Sequence, residues 1–468
     1  MSTNTFESTL RAPPSSSDEA FSLPVAQPCS SSKPLPPRAA LTSDQQDKLD
    51  RLIEHFNARD FRLPSTLKDL KQLWIQQGKE TASRFGGLFG GSKAGATVDE
   101  ASLAPLDDVE RCYWSSQAFQ RCLRATKWDY MNGLKRAEET LVWRREFKVE
   151  QMKEEDVSRE GETGKELVFG FDNDCRPVLY MHPYRQNTQT GPDQIAFVVW
   201  CLERALDLAP ATDPATEMLC LCIDFGANLK DTKSQPTTLS QARKVLEILQ
   251  TYYCERLGKA ICVNIPGFFF TFYKLVSPFV DPVTKEKIRF LEGKADATSL
   301  IPPEQLQKIF GGDVNFEYDH ATYFPALTKL CFERKAANLE RWRRYGDGKC
   351  GLDEAVIKGG RRPEENTTSE RREEEEGEGE RVPTEGIAAV SIGGGGAGGA
   401  DKKDEEGGGG SSTSETSPEG TVVDDVIPEA AAAKTTEAPP TTPGLDKFVD
   451  APIASEGDVK QAVPALTA

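Results

Sequence analysis

The spacing of apolar residues changes period several times along this chain, and each change marks an element. In Asp44–Ala58 the residues Leu49, Leu52, Ile53 and Phe56 recur at helical spacing, which predicts an amphipathic helix. Asp107–Lys148 is also helical and strongly charged, ending in Leu141-Val-Trp-Arg-Arg-Glu-Phe. The pattern then changes. Glu166-Leu-Val-Phe-Gly-Phe, an Asp/Asn turn at Asp172–Asp174, and Pro177-Val-Leu-Tyr-Met predict a β-hairpin. Gln194–Ala209 is an amphipathic helix, Met218-Leu-Cys-Leu-Cys-Ile-Asp-Phe a continuous apolar strand, and Ser240–Leu257 another helix. The strand Ala260-Ile-Cys-Val-Asn-Ile follows, then a further strand at Lys287–Leu291. Prolines open a short helix at Ile301-Pro-Pro-Glu-Gln-Leu, Gly311-Gly312 closes it, and Glu333–Tyr345 supplies a last helix. Uniformly apolar strands alternating with helices predict an α/β fold with a mostly parallel sheet covered by helices.

Pro266-Gly-Phe-Phe-Phe-Thr-Phe-Tyr-Lys-Leu-Val-Ser-Pro-Phe-Val breaks the amphipathic rule. Read as a helix, its polar side chains are Thr271, Lys274 and Ser277, on one narrow stripe. Such a helix is buried, faces a membrane, or faces an apolar ligand. It is too short to span a bilayer, which takes ~20 residues. By pattern alone a core helix is the simpler reading.

Composition then trims the chain to its folding part. Residues 1–44 are rich in Ser, Pro and Thr and lack an apolar period, so disorder is expected. Gly351–Ala468 holds 11 Lys and Arg against 26 Asp and Glu, a charge of −15 out of the total of −17. The acidity therefore belongs to a tail, expected to be solvated, and the body is near neutral. Nothing in the pattern suggests nucleic acid: there is no basic stripe and no zinc-finger spacing. The 11 cysteines are scattered through apolar segments, and no signal-peptide pattern opens the chain. They read as reduced thiols of a cytoplasmic protein. Arg84-Phe-Gly-Gly-Leu-Phe-Gly-Gly-Ser-Lys puts Ser before Lys and has no preceding strand, so it reads as a flexible insertion, not a phosphate loop.

Several motifs in order carry a family resemblance over roughly Asp107–Tyr345. They are Leu123-Arg-Ala-Thr-Lys-Trp-Asp, Cys175-Arg-Pro-Val-Leu-Tyr, Tyr252-Tyr-Cys-Glu-Arg-Leu-Gly-Lys, Pro278-Phe-Val-Asp-Pro-Val-Thr-Lys-Glu-Lys-Ile and Gly311-Gly-Asp. With them the chain resembles the CRAL-TRIO lipid-transfer family. Within it, Ala125-Thr-Lys-Trp and Phe171-Asp-Asn are similar to the fungal phosphatidylinositol transfer proteins of the pleiotropic-drug-resistance branch.

The resemblance implies an α/β lipid-binding domain at 157–320 with an apolar pocket. A helical cap with the Gly-rich insertion (45–156), a C-terminal helix on the domain (321–350), and disordered ends (1–44 and 351–468) complete the division. It implies a bound phosphatidylinositol, no cofactor and no metal. Contact with membrane surfaces would be transient and peripheral, at the endoplasmic reticulum, lipid droplets or cell periphery, and the protein a monomer.

The resemblance assigns headgroup contacts to Glu255, Thr284, Lys287 and Lys127. Lys287 would neutralise the phosphate, Thr284 donate a hydroxyl, and Glu255 accept from the inositol ring. The Lys127 side is the weaker match, because phospholipid-exchanging relatives carry an Arg where this chain has Thr126. Without the resemblance each of these is an ordinary exposed charge. The segment from Pro266 becomes a mobile gate, with Phe268, Phe269, Phe270, Phe272, Tyr273 and Phe279 lining gate and pocket. Leu179 and Leu229 stand where relatives that hold phosphatidylcholine carry hydroxyls, which points to a sterol as the second ligand.

Two other classes remain open: a lipid sensor or scaffold without net transfer, and an enzyme. Against the enzyme, only His55, His182 and His320 are present, no Gly-x-Ser-x-Gly elbow occurs, and no triad or metal set surrounds His182 in sequence.

Overall fold

A computed structural model describes residues 6–14, 18–78, 98–189, 191–212, 216–226, 239–265, 273–274, 277–280, 282–291 and 294–360. They belong to one compact unit, Met1–Thr384. The Gly-rich insertion at Arg84–Lys93, the acidic tail from residue 361, Leu229, and Phe268, Phe269, Phe270 and Phe272 lie outside the described residues.

Helix α1 (Ser43–Asn57) starts at a capping box between Thr42 and Gln45 and buries Leu49, Leu52 and Phe56. Helix α2 (Leu67–Gln76), which the pattern did not reveal, adds Leu70, Leu73 and Trp74. The long charged stretch is three helices: α3 (Asp108–Tyr113), α4 (Ser116–Ala125) and α5 (Tyr130–Phe147). Ser115 caps α4 by accepting from the Ala118 amide, and Asp129 caps α5 through Asn132. Between α4 and α5 the chain turns through Lys127 and Trp128, both left-handed at φ 54° and 61°. Phe56, Trp114, Phe119, Leu123 and Leu141 form the core of this helical unit.

After α6 (Glu154–Gly161) come β1 (Glu166–Phe171) and β2 (Pro177–Met181), an antiparallel pair. Then α7 (Pro192–Leu208), β3 (Leu219–Asp224), α8 (Leu239–Tyr252), β4 (Leu257–Val263), α9 (Pro282–Glu286) and β5 (Ile288–Phe290) follow. The sheet runs β1-β2-β3-β4-β5, with β2 to β5 all parallel. Strands in sequential order, joined by connections of one hand, place those connections on a single face.

Register separates the two faces. Leu167, Tyr180, Cys222 and Ile261 share one, and there Phe310 stacks on Tyr180 at 5.3 Å. Val168, Leu179, Leu221 and Ala260 share the other. Glu166 lies on that second face and meets Cys201 of α7.

Helix α10 (His320–Tyr345) is longer than expected, because it begins at the Asp319 cap instead of at Glu333. Its Tyr323 hydroxyl donates to the Val168 carbonyl at 2.5 Å.

Two boundaries differ from the sequence reading. Residues 6–14 and 18–44 are not free of the fold: Phe21 is fully buried, bridges to Phe316, and packs with Val25 in the main core. Glu7 pairs with Arg334, and the Lys33 amide donates to the Asn173 carbonyl at 2.9 Å. An extended strap needs only isolated anchors, so it leaves no period to detect. The folded part also runs past Gly351. Helix α11 (Glu354–Lys358) buries Glu354, Ala355 and Ile357, and Glu354 accepts from Arg121 at 2.8 Å.

Candidate functional site

The parallel strands bring three of the four headgroup candidates to one edge. Glu255 stands two residues before β4, and Lys287 immediately before β5. Thr284 is in α9, and its carbonyl accepts from the Lys287 amide at 3.1 Å. The Lys287 ammonium donates to the Leu257 carbonyl at 2.7 Å, so its side chain reaches across to the start of β4. Lys127 is exposed in the left-handed turn that leaves α4, three residues from Arg124. That Arg124 guanidinium donates to Glu255 at 2.5 Å and to Glu217, before β3, at 3.2 Å.

Glu255 is thus held in an ion-pair cluster, where sequence reasoning saw an open acceptor. Arg38 of the N-terminal strap lies 4.0 Å from it and 3.7 Å from Glu217. Burial drives the Glu217 carboxyl upward, but Arg121 and Arg124 outweigh it and hold the group below the usual range. Sequence reasoning missed Arg38, Arg124 and Glu217. The one signal available was Arg124 inside the quoted Leu123-Arg-Ala-Thr-Lys motif. Thr126 is spent on the end of α4, donating to the Cys122 carbonyl at 2.9 Å.

A different surface lies on the second face of the sheet. In β3, the central strand, Cys220 and Cys222 are fully buried while Leu221 and Ile223 are only half-buried. Met181, the partner of Ile223 on β2, is half-buried as well. The adjoining β4 positions, Ala260 and Cys262, are small. A central strand covered on both faces would show no such alternation, so this face leaves apolar side chains short of neighbours. Leu179 is on it, beside Leu221.

Of the lining expected around the gate, the described residues include Tyr273 and Phe279. Tyr273 packs edge-on against Phe290 of β5 at 5.3 Å. Phe279 is half-buried beneath the Arg243 guanidinium, 4.2 Å from the ring centre. Val283 (61 % exposed) and Phe290 (38 %) add exposed apolar surface beside them. Among the described residues no helix is long and apolar enough to cross a membrane.

His182 gathers neighbours that its sequence context did not reveal. It is fully buried, stacks with Tyr180 and Phe310, and its Nδ1 lies 3.8 Å from Asp224. The Tyr184 hydroxyl donates to the same carboxylate at 3.5 Å. Burial pushes the imidazole down to about 3, with Arg185 adding to the effect. A neutral ring closed off from solvent serves packing here.

Known proteins place this architecture. The description CRAL/TRIO domain matches residues 161–312. A CRAL-TRIO domain-containing protein of Schizosaccharomyces pombe is 45 % identical over 255 residues, 54 % of this chain but 24 % of that protein. The chain therefore spans about a quarter of that relative. Phosphatidylinositol transfer protein PDR17 of Saccharomyces cerevisiae is 33 % identical over 330 residues, 68 % of this chain and 85 % of that protein. A SEC14 cytosolic factor of Kluyveromyces lactis is 32 % identical over 216 residues, 41 % of this chain and 69 % of its own length. The crystal structure of Sfh5 aligns with a TM-score of 0.37 and 15 % identity, over 56 % of this chain and 85 % of that one. That geometric likeness is too low to add to the assignment, which rests on sequence identity along nearly all of a transfer protein. On that ground the chain belongs to the CRAL-TRIO lipid-transfer family.

Proposed function

We propose that the protein binds phosphatidylinositol, acyl chains against the half-buried face of β2 and β3 and headgroup at the edge formed by Glu255, Thr284 and Lys287, and moves it between membranes. The observation that carries the reading is the alternation in β3, with Leu221 and Ile223 partly exposed on a central strand. Moving one acyl chain of about 15 methylenes from bilayer to water costs on the order of 12 kcal/mol at ~0.8 kcal/mol per methylene. A carrier has to replace the bilayer with an equally dry wall, and this face supplies one. The segment from Pro266, which connects β4 to β5, closes that face as the gate in this reading. Phe268, Phe269, Phe270 and Phe272 are its apolar surface. Val283 and Phe290 would meet the membrane while the gate is open. The name of the PDR17 relative points to the same lipid, and the name of the SEC14 relatives to a cytosolic factor.

Lys287 would give its charge to the phosphodiester, and the Glu255–Arg124 pair would open toward inositol hydroxyls and phosphate. A second ligand follows from Leu179. A leucine beside Leu221 cannot pair the phosphate of a choline lipid, whose burial there would be costly. A sterol, with one hydroxyl to satisfy, suits the face better.

The test is native mass spectrometry of the purified protein with lipid analysis of the released ligand. Phosphatidylinositol at one per chain, lost from a folded Leu221→Trp, Ile223→Trp variant, is the expected result. Phosphatidylcholine as the main ligand would remove the headgroup and sterol assignments together. An unchanged ligand in the filled variant would place the lipid elsewhere.

A further inference from the structure

Outside the lipid site, two thiols from distant parts of the chain share one small cavity. Cys122 is buried in the last turns of α4, and Cys254 is partly exposed in the turn that follows α8. Both line a cavity with Tyr113, Arg121, Tyr253 and Arg256. The cavity has room for about one water-sized molecule. Two of its lining residues, Trp114 and Thr140, present buried polar atoms, Nε1 and Oγ1, that have no hydrogen-bond partner. Such atoms suit a small polar guest.

We propose that Cys122 and Cys254 form a redox-modification site, oxidised by a hydroperoxide to a disulfide that ties α4 to the turn carrying Glu255. The thiolate is the reactive form of cysteine. The neighbouring Cys122 thiol favours it at Cys254 and, despite burial, lowers that group to about 7, with Arg136 and Arg121 assisting. Burial drives other thiols the opposite way, Cys112, Cys262, Cys331 and Cys350 each to about 12. Among the described cysteines, this pair sets an activated thiol and a second thiol on one cavity.

The chemistry balances in two steps. The Cys254 thiolate attacks one peroxide oxygen, the O–O bond breaks, and the departing hydroxide takes the Cys122 proton to become water. Cys254 is then a sulfenic acid. The Cys122 sulfur attacks the Cys254 sulfur, the S–S bond forms as the S–O bond breaks, and the hydroxide released leaves as water once protonated by solvent. Two thiols are oxidised and one peroxide is reduced. Across the shared cavity the sulfurs have to close to the ~2.05 Å of a disulfide. The turn between Tyr253 and Arg256, which carries Cys254 and holds Glu255 at φ 58°, lies between α8 and β4, outside both elements. The site stands on the thiols alone, whichever lipid is carried.

The experiment titrates the full chain with hydrogen peroxide, blocks remaining thiols with N-ethylmaleimide, and maps peptides without reduction. A Cys122–Cys254 cross-linked peptide should form before any other cysteine is consumed, and dithiothreitol should reverse it. In Cys122→Ser, which lacks the resolving thiol, Cys254 should be trapped as a sulfenic acid by dimedone. Oxidation of another cysteine first, or conversion of Cys254 to sulfinic acid without the cross-link in the parent protein, would overturn the proposal.

Discussion

Glu166 and His182 sit at the same end of the β1–β2 pairing, Glu166 opposite Met181 and His182 next after it, yet make opposite demands on pH. Burial lifts the Glu166 carboxyl to about 8, against the partial relief of Lys165, so it is protonated in the folded state at neutral pH. The unfolded chain releases that proton near 4.5, so its stability contribution is full below that value and is lost as pH rises toward 8. The loss is on the order of 3 kcal/mol by pH 7. His182 is the reverse. Its folded value of about 3 lies below the unfolded ~6.5, so stability falls as pH drops between those values. Replacing Glu166 with Gln keeps the shape and removes the titration. Urea melts at pH 5 and pH 8 should therefore show a smaller alkaline loss in Glu166→Gln than in the parent. Equal losses in both proteins would mean that Glu166 is charged in the fold.

The proposed headgroup edge makes its own demand at the residue scale. Glu255 is about a third exposed, and Arg124 keeps Glu217 as a second partner. Removing Glu255 should thus cost ~1 kcal/mol or less in stability, as partly exposed ion pairs do. The Glu255→Ala, Lys287→Ala double variant is expected to melt within a few degrees of the parent and to lose phosphatidylinositol transfer. Retained transfer in a folded double variant would move the headgroup away from this edge. These residues came from family resemblance, because no spacing rule links positions 255, 284 and 287. The parallel register of β4 and β5 brings them together, and Arg38, Arg124 and Glu217 join by contacts too distant in sequence for any pattern to carry.

At the scale of elements, the strands were legible because a short unbroken apolar run bounded by polar or turn residues reads as a strand, as Leu219-Cys-Leu-Cys-Ile does. Helix ends were less so. The helix expected to continue to Leu257 stops at Tyr252, and no glycine or proline marks the stop: Glu255 itself takes the left-handed turn. Helix α11 was hidden for a related reason. It is five residues long and opens the acidic tail, yet its Glu354 pairs with Arg121, Lys358 and Arg256. Removing one partner of a buried ion pair costs roughly 3–5 kcal/mol. A chain ending at Gly351 should then unfold at markedly lower urea than one ending at Gly360, which should match the full-length protein. Identical midpoints for the two truncations would show that α11 contributes nothing. For the proposed gate, Phe272→Asp should slow lipid exchange without shifting the melt. A large drop in melting temperature would make Phe272 an ordinary core residue, since a buried unpaired charge is strongly destabilising.

For the whole molecule, two cores are joined by charge. The helical unit around Phe56 and Trp114 meets the sheet domain through Arg121, Arg124, Glu217, Glu255 and Glu354, beside the proposed headgroup edge. The N-terminal strap crosses to the same edge at Arg38 after packing Phe21 against Phe316. The central claim is that this assembly carries phosphatidylinositol between membranes, which sets it apart from a sensor that binds lipid and keeps it. The most direct measurement is transfer of radiolabelled phosphatidylinositol from donor to acceptor vesicles at catalytic amounts of protein. Each protein molecule should move many lipids, with phosphatidylcholine moved poorly under the same conditions. Binding of phosphatidylinositol with no net movement above the protein-free rate would contradict the account and leave a sensor.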